Sequence, residues 1–156
     1  MELMIVRHAE AEPARAGLPD ARRALTKRGV RRFTRAARAM KRFGLRCDNL
    51  YHSPWLRAVQ TAELLTPLLK GESFATSLLA REPSGDVLDL LKGKRIALVG
   101  HEPWLGELAA LLITGDAGCA RAFALKKGGV LLLKGKAEFG GMELIAALSP
   151  DFLADL

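Results

Sequence analysis

Four residues scattered along the sequence have the types that phosphoryl transfer needs. They are Arg7 and His8 near the start, Arg57 in Ser53-Pro54-Trp55-Leu56-Arg57, and His101 in Gly100-His101-Glu102-Pro103. A neutral imidazole, held by a hydrogen bond on its other nitrogen, can attack phosphorus and carry the phosphoryl group covalently. Arginines add forked, permanently charged donors that match phosphate oxygens. A second imidazole can donate to the equatorial oxygens, and the cationic cluster then supplies the transition-state stabilisation that a metal gives elsewhere. Such a site requires no metal and no cofactor. His8 on a loop after a strand buries little surface by this reading, so its replacement is expected to spare the fold.

The surrounding pattern brings these residues to one edge. Leu3 to Val6 is a short apolar run of the kind found in strands buried on both faces, and Arg7-His8 follows it. Asp48 to Tyr51 reads as a second strand. After it, Ser53-Pro54 reads as an N-cap with proline in the first helical position, and Ala58, Ala62, Leu65 and Leu69 form the helix's buried stripe. That puts Arg57 in a first helical turn, where free amides and the helix dipole favour an anion. Arg95 to Gly100 is another buried-strand pattern, and His101-Glu102-Pro103 opens a helix through about Ile113. Ligands of open α/β sheets bind at the carboxyl ends of strands, so these loops converge on one crevice.

Elsewhere, Thr26 caps a helix with Val30, Phe33, Ala37 and Met40 at helical spacing, Arg31, Arg32, Arg35, Arg38 and Lys41 on its other faces, and Gly44 as its stop. Asp86 to Leu91 suggests a brief helix. Arg121 to Leu125, Val130 to Leu133 and Glu143 to Ala147 read as strands, with Gly128-Gly129 and Gly140-Gly141 as tight turns. Strands alternating with helices early and hairpin-like strands late indicate one α/β domain over residues 1–156, a mixed, mostly parallel sheet flanked by helices on both faces.

The 156 residues hold 24 Lys and Arg against 17 Asp and Glu, so a phosphorylated or acidic partner suits the charge of +7. The basic face of the Thr26 helix is a solvated face that also offers a dock for an acidic partner. Cys47 and Cys119 have neither disulfide-framework nor zinc spacing and read as reduced thiols. There is no signal-peptide pattern and no run of transmembrane length, which points to a cytoplasmic protein without a membrane partner. Nucleic acid is disfavoured, because no basic strand is interleaved with aromatics.

Leu-Met-Ile-Val-Arg-His-Ala-Glu at residues 3–10, Arg23-Ala24-Leu25-Thr26-Lys27-Arg28-Gly29, Ser53 through Ala62, and Val99 through Pro103 together resemble the motifs of the histidine phosphatase superfamily. The short chain and Pro83-Ser84-Gly85-Asp86 resemble its SixA-type phosphohistidine phosphatase branch. The resemblance implies a phosphoglycerate mutase-like fold, with His8 as nucleophile and Arg7, Arg57 and His101 on the phosphoryl group. Arg23 and Ser53 lie in motifs that border the pocket. It further implies a phosphohistidine substrate on a signalling or phosphotransfer protein.

The sequence departs from the wider superfamily at the carboxylate that protonates an alkoxide leaving group. The candidates near the middle of the chain are Glu82 and Asp86, neither in a matching motif. A phosphohistidine imidazole, with a pKa of roughly 6.5, leaves without such help. Two other readings stand beside this one: a small-molecule phosphomonoesterase using Glu82 or Asp86 as acid, and a noncatalytic module that binds phosphate or nucleic acid. Glu10, Gln60 and Thr61 read as structural, as does His52. Trp55 and Trp104 suit either a wall of the crevice or core packing.

Overall fold

A computed structural model describes residues 1–156. Six strands, β1 (Glu2–Arg7), β2 (Asn49–His52), β3 (Ser73–Ala75), β4 (Arg95–Gly100), β5 (Val130–Gly135) and β6 (Met142–Leu148), form one sheet in the order β3-β2-β4-β1-β5-β6. Parallel pairings join β1 to β4, β2 to β4 and β2 to β3, whereas β5 lies antiparallel to both β1 and β6. This is the mixed, mostly parallel sheet read from the sequence.

Alternate side chains of the central strands feed two cores. Met4, Val6, Ala97 and Val99 pack under α1 (Lys27–Arg42), α2 (Leu56–Leu64) and α4 (Pro150–Asp155). Leu3, Ile5, Ile96 and Leu98 face α3 (Trp104–Thr114) and the 3-10 turn Gly85–Leu90 on the other side. Strands sandwiched in this way must be apolar on both faces, which explains why β1 and β4 show unbroken apolar runs. No helix is long and apolar enough to cross a membrane.

Several local expectations change. Ser53 does not cap α2: its amide still bonds the Val99 carbonyl at 2.9 Å as an extension of β2, so the helix begins with Trp55 as N-cap. Ser53 Oγ instead accepts the Trp55 amide at 3.2 Å. Because α2 ends at Leu64 before the Thr66–Leu68 turn, Leu69 lies beyond the helix. Val30 is exposed on α1, and Ala36 fills the inward position beside Phe33, Ala37 and Met40. Residues 121–125 form no strand. The Asp116 carboxylate accepts the Gly118 amide at 2.8 Å and starts a 3-10 run over Ala117–Phe123, packed on α3.

Candidate active site

The nucleophile candidate is fixed by both neighbours of β1. The His8 amide donates to the Gly100 carbonyl at 3.0 Å, and the Gly128 amide donates to the His8 carbonyl at 2.9 Å. His8 is only 5% exposed, so the expectation that it buries little surface fails: the crevice closes around the ring. Its Nδ1 lies 2.8 Å from the Ala9 carbonyl, an acceptor, so Nδ1 carries the proton and Nε2 the lone pair. Arg57 Nε donates to that lone pair at 3.3 Å. Burial, with the charges of Arg57 and Arg7 adding to it, pushes the His8 pKa down to about 4 against the bond to Ala9. The ring is neutral at physiological pH, the state a nucleophile requires.

Arg57 is buried and fully engaged. Its Nη1 donates to the Asp20 carbonyl at 2.7 Å and its Nη2 to Asp20 Oδ2 at 2.9 Å. Arg23 Nε donates to Asp20 Oδ1 at 2.6 Å, and its Nη1 to the Glu12 carbonyl at 2.9 Å. One carboxylate thus bridges two arginines. Although partial burial pushes the Asp20 carboxyl up, the bonds from Arg23 and Arg57 prevail and hold it below the usual range. Thr61 locks the other end: its hydroxyl donates to the Arg57 carbonyl at 2.7 Å and accepts the Ala9 amide at 3.0 Å. The helix that carries Arg57 is thereby stitched to the loop that carries His8.

His101 stands beside His8, with ring centroids 5.2 Å apart. Ser53 Oγ, which accepts from the Trp55 amide, lies 2.7 Å from His101 Nε2, and the tautomer in which the hydroxyl donates to Nε2 is the one that suits a phosphoryl group. That leaves a proton on His101 Nδ1, which is buried without a protein partner. Burial first, then the neighbouring His8, pushes the His101 pKa down to about 3. Arg7 Nη1 donates to the Leu125 carbonyl at 2.6 Å, while its buried Nε also has no protein partner. Unpaired buried donors are costly, so these two atoms mark where acceptor oxygens of a ligand would be rewarded. Trp55 flanks His101 at 4.7 Å between ring centroids and meets Trp104 edge-on at 6.2 Å, which makes both tryptophans part of the crevice wall. The Arg57 guanidinium also stacks over Trp55 at 4.7 Å.

The structure therefore brings Arg7, His8, Arg57, His101 and Ser53 together and ties Arg23 in through Asp20. Glu82 is exposed and has no hydrogen bond to this group, while Asp86 faces Ser84 at 3.4 Å and Arg81 at 3.7 Å. Sequence reading missed Asp20, and also Glu102, whose carboxylate accepts the Leu125 and Gly106 amides at 2.7 and 3.2 Å behind Arg7. Glu10 has the structural role expected of it, accepting from Thr26 Oγ1 at 2.9 Å and pairing with Arg28. Gln60 likewise accepts the Leu25 amide at 2.7 Å. No three His, Cys, Asp or Glu side chains are grouped as ligands of a metal ion would be.

Residues 3–76 match the sequence profile of the histidine phosphatase superfamily (branch 1). An uncharacterized protein of Picosynechococcus sp. is 33% identical over 86% of this chain and 85% of its own length. The chain belongs to the histidine phosphatase superfamily. Among solved structures, the protein histidine phosphatase SixA complexed with tungstate superposes with a TM-score of 0.80 at 24% identity, covering 98% of this chain and 99% of that one. A phosphoserine phosphatase from Entamoeba histolytica, in complex with 3-phosphoglyceric acid, superposes with a TM-score of 0.69 at 20% identity, covering 97% and 98%. The superfamily fold is thus shared by enzymes with different substrates, and the site must decide between them.

Proposed function

We propose that this chain is a phosphohistidine phosphatase that works through a covalent phospho-His8 intermediate and acts on a signalling or phosphotransfer protein. The observation that carries this reading is the state of His8: Nδ1–H bound to the Ala9 carbonyl and the Nε2 lone pair turned toward Arg57. The lone pair attacks phosphorus, a new N–P bond forms, and the bond to the substrate imidazole breaks. Arg57 Nε, released from the His8 lone pair as that atom attacks, joins Arg7 Nε and His101 Nδ1–H in holding the equatorial oxygens. The substrate ring takes a proton from solvent on its other nitrogen and so departs as neutral imidazole. Water then attacks the phosphorus on His8, the N–P bond breaks, and phosphate leaves with His8 neutral again.

The preference for phosphohistidine over an ester rests on the leaving group. An alkoxide needs a proton donor, but Asp20, the carboxylate that bridges the site, is held ionised by Arg23 and Arg57. Glu82 and Asp86 are exposed, and Asp86 pairs with Arg81. An imidazole with a pKa of roughly 6.5 leaves without that donor. The tryptophan wall beside His101 also suits a flat, aromatic leaving group. The assignment of His8, Arg7, Arg57 and His101 to the reaction is part of the same proposal, and both the phosphomonoesterase and the noncatalytic binding module remain its rivals.

The test compares turnover of a phosphohistidine peptide with that of a panel of phosphate esters, while acid-labile phosphate is trapped on the enzyme. The expected result is preference for the phosphohistidine peptide, with label on His8. His8→Asn should remove both turnover and label while a melting curve reports the fold. Preferential ester turnover supports the phosphomonoesterase. Binding of phosphate with no turnover of either class supports the noncatalytic module.

A further inference from the structure

Positive charge does not end at the buried site. A groove of about 490 Å³ starts at Ala9 and Glu10, directly after the nucleophile, and runs between the start of α1 and residues 126–128. Arg28, Arg32, Lys126 and Lys127 line its rims, and Pro13, Phe33 and Ala36 contribute an apolar floor. Its geometry relative to His8 is set by backbone, because the Gly128 amide donates to both the Arg7 carbonyl at 3.2 Å and the His8 carbonyl at 2.9 Å. Close approach of the α1 side is equally built in: a β-carbon at Gly29 would collide with the Glu10 carbonyl oxygen.

Helix α1 carries eight Lys and Arg and no Asp or Glu. Of these, Arg28 pairs with Glu10 and Arg32 with Asp151. Glu10 and Asp151 also line the groove and offset these two, but Lys126 and Lys127 form no salt bridge, so the groove keeps a net positive charge whose natural complement is negative. The phosphoryl group itself is provided for by His8 and its neighbours, which leaves the groove to something that extends from it. Stacked bases would need exposed aromatic faces, but Phe33 is 2% exposed, so nucleic acid has no platform here.

We infer that this groove holds an acidic segment of the protein whose phosphohistidine enters the site, an inference that rests on the substrate class proposed above. The segment runs from the phosphorylated residue over Ala9 and along α1, its carboxylates meeting Arg32 and Lys126. Specificity between phosphorylated proteins then comes from charge near the phosphohistidine rather than from the phosphoryl site.

The experiment uses two short fluorescent peptides without phosphate, one rich in Asp and Glu and one with Ser and Gln in their place, titrated with the full chain at low and high salt. The acidic peptide should bind about tenfold more tightly than the neutral one at low salt and lose that advantage at high salt. Arg32→Gln combined with Lys126→Glu should abolish the preference. Lys126→Glu alone, which breaks no side-chain pair, should reduce it in a chain whose melting is unchanged. Equal affinity for the two peptides, an unchanged preference in both variants, or tighter binding of a single-stranded RNA would overturn the inference. Because neither peptide carries phosphate, charge preference is read separately from turnover. A chain that binds the acidic peptide but spares phosphohistidine would refute the substrate proposal and leave an acidic ligand assigned to the groove.

Discussion

The buried cluster around His8 and the open groove beside it both rely on arginine and lysine, but in opposite ways. In the cluster, Arg57 is 3% exposed and every guanidinium nitrogen has a partner, so its charge is fixed in direction and sheltered from salt. In the groove, Lys126 and Lys127 are exposed, their charge diffuse and open to screening. The first arrangement suits bond-making at one atom; the second suits attraction over many. The contrast teaches that a net charge of +7 describes two devices, and that only the buried one depends on angstrom-scale placement.

Breaking the buried device should have the largest effect. Arg57→Ala removes the guanidinium that adjoins the His8 lone pair and is proposed to hold the phosphoryl oxygens, and kcat/KM is expected to fall about a thousandfold, the scale of a lost transition-state donor. Arg57→Lys should restore little, because an ammonium cannot serve His8 and Asp20 together. A loss under tenfold in steady-state kinetics would contradict a site built around that contact.

A pH experiment probes the same shelter through stability. In the folded chain the pKa values of His8 and His101 lie at about 4 and about 3, below the unfolded value of 6.5. Between about 6.5 and 4 the unfolded chain binds protons that the folded chain refuses, so stability falls as pH falls through that window and is fully present above it. A tenfold difference in proton affinity is worth roughly 1.4 kcal/mol, so by pH 5 each histidine contributes on the order of 2 kcal/mol to that loss. Urea midpoints at pH 7.5 and pH 5 should separate, and His8→Asn should narrow the gap. Equal midpoints would mean that the rings are not sheltered.

Asp20 connects the two arginines and gives the smallest, most diagnostic effect. Asp20→Asn raises the positive potential at the site while releasing the aim of Arg57. Affinity for inorganic phosphate should rise about threefold while kcat falls about tenfold, a split that reports lost positioning with binding retained. Parallel losses in both would assign Asp20 to the fold alone.

The parts of this arrangement legible in the sequence are those that repeat a local physical rule. β1 and β4 announce themselves because burial on both faces forces an apolar run, and Arg7, His8, Ser53 and His101 follow from where those runs stop. β3 escapes sequence reading because all three of its residues are exposed at the sheet's edge, leaving no pattern. α4 does carry a signal, Ser149 capping the Phe152 amide at 3.1 Å with Pro150 at the helix start, within a stretch too short for periodicity to register. Asp20 has none. It lies in a turn-rich stretch, and its bond to Arg57, 37 residues away, exists only once the fold brings the turn over α2.

The backbone bond from Gly128 to His8 also bears on the chain's synthesis. During synthesis Arg7 and His8 emerge 120 residues before the turn whose amide fastens their carbonyls. β1 cannot complete its antiparallel partnership until β5 has been made. Until then His8 is an unassembled residue beside an unpaired strand edge. The surroundings of His8 are therefore completed late, and a chain stalled before Gly128 is expected to be inert.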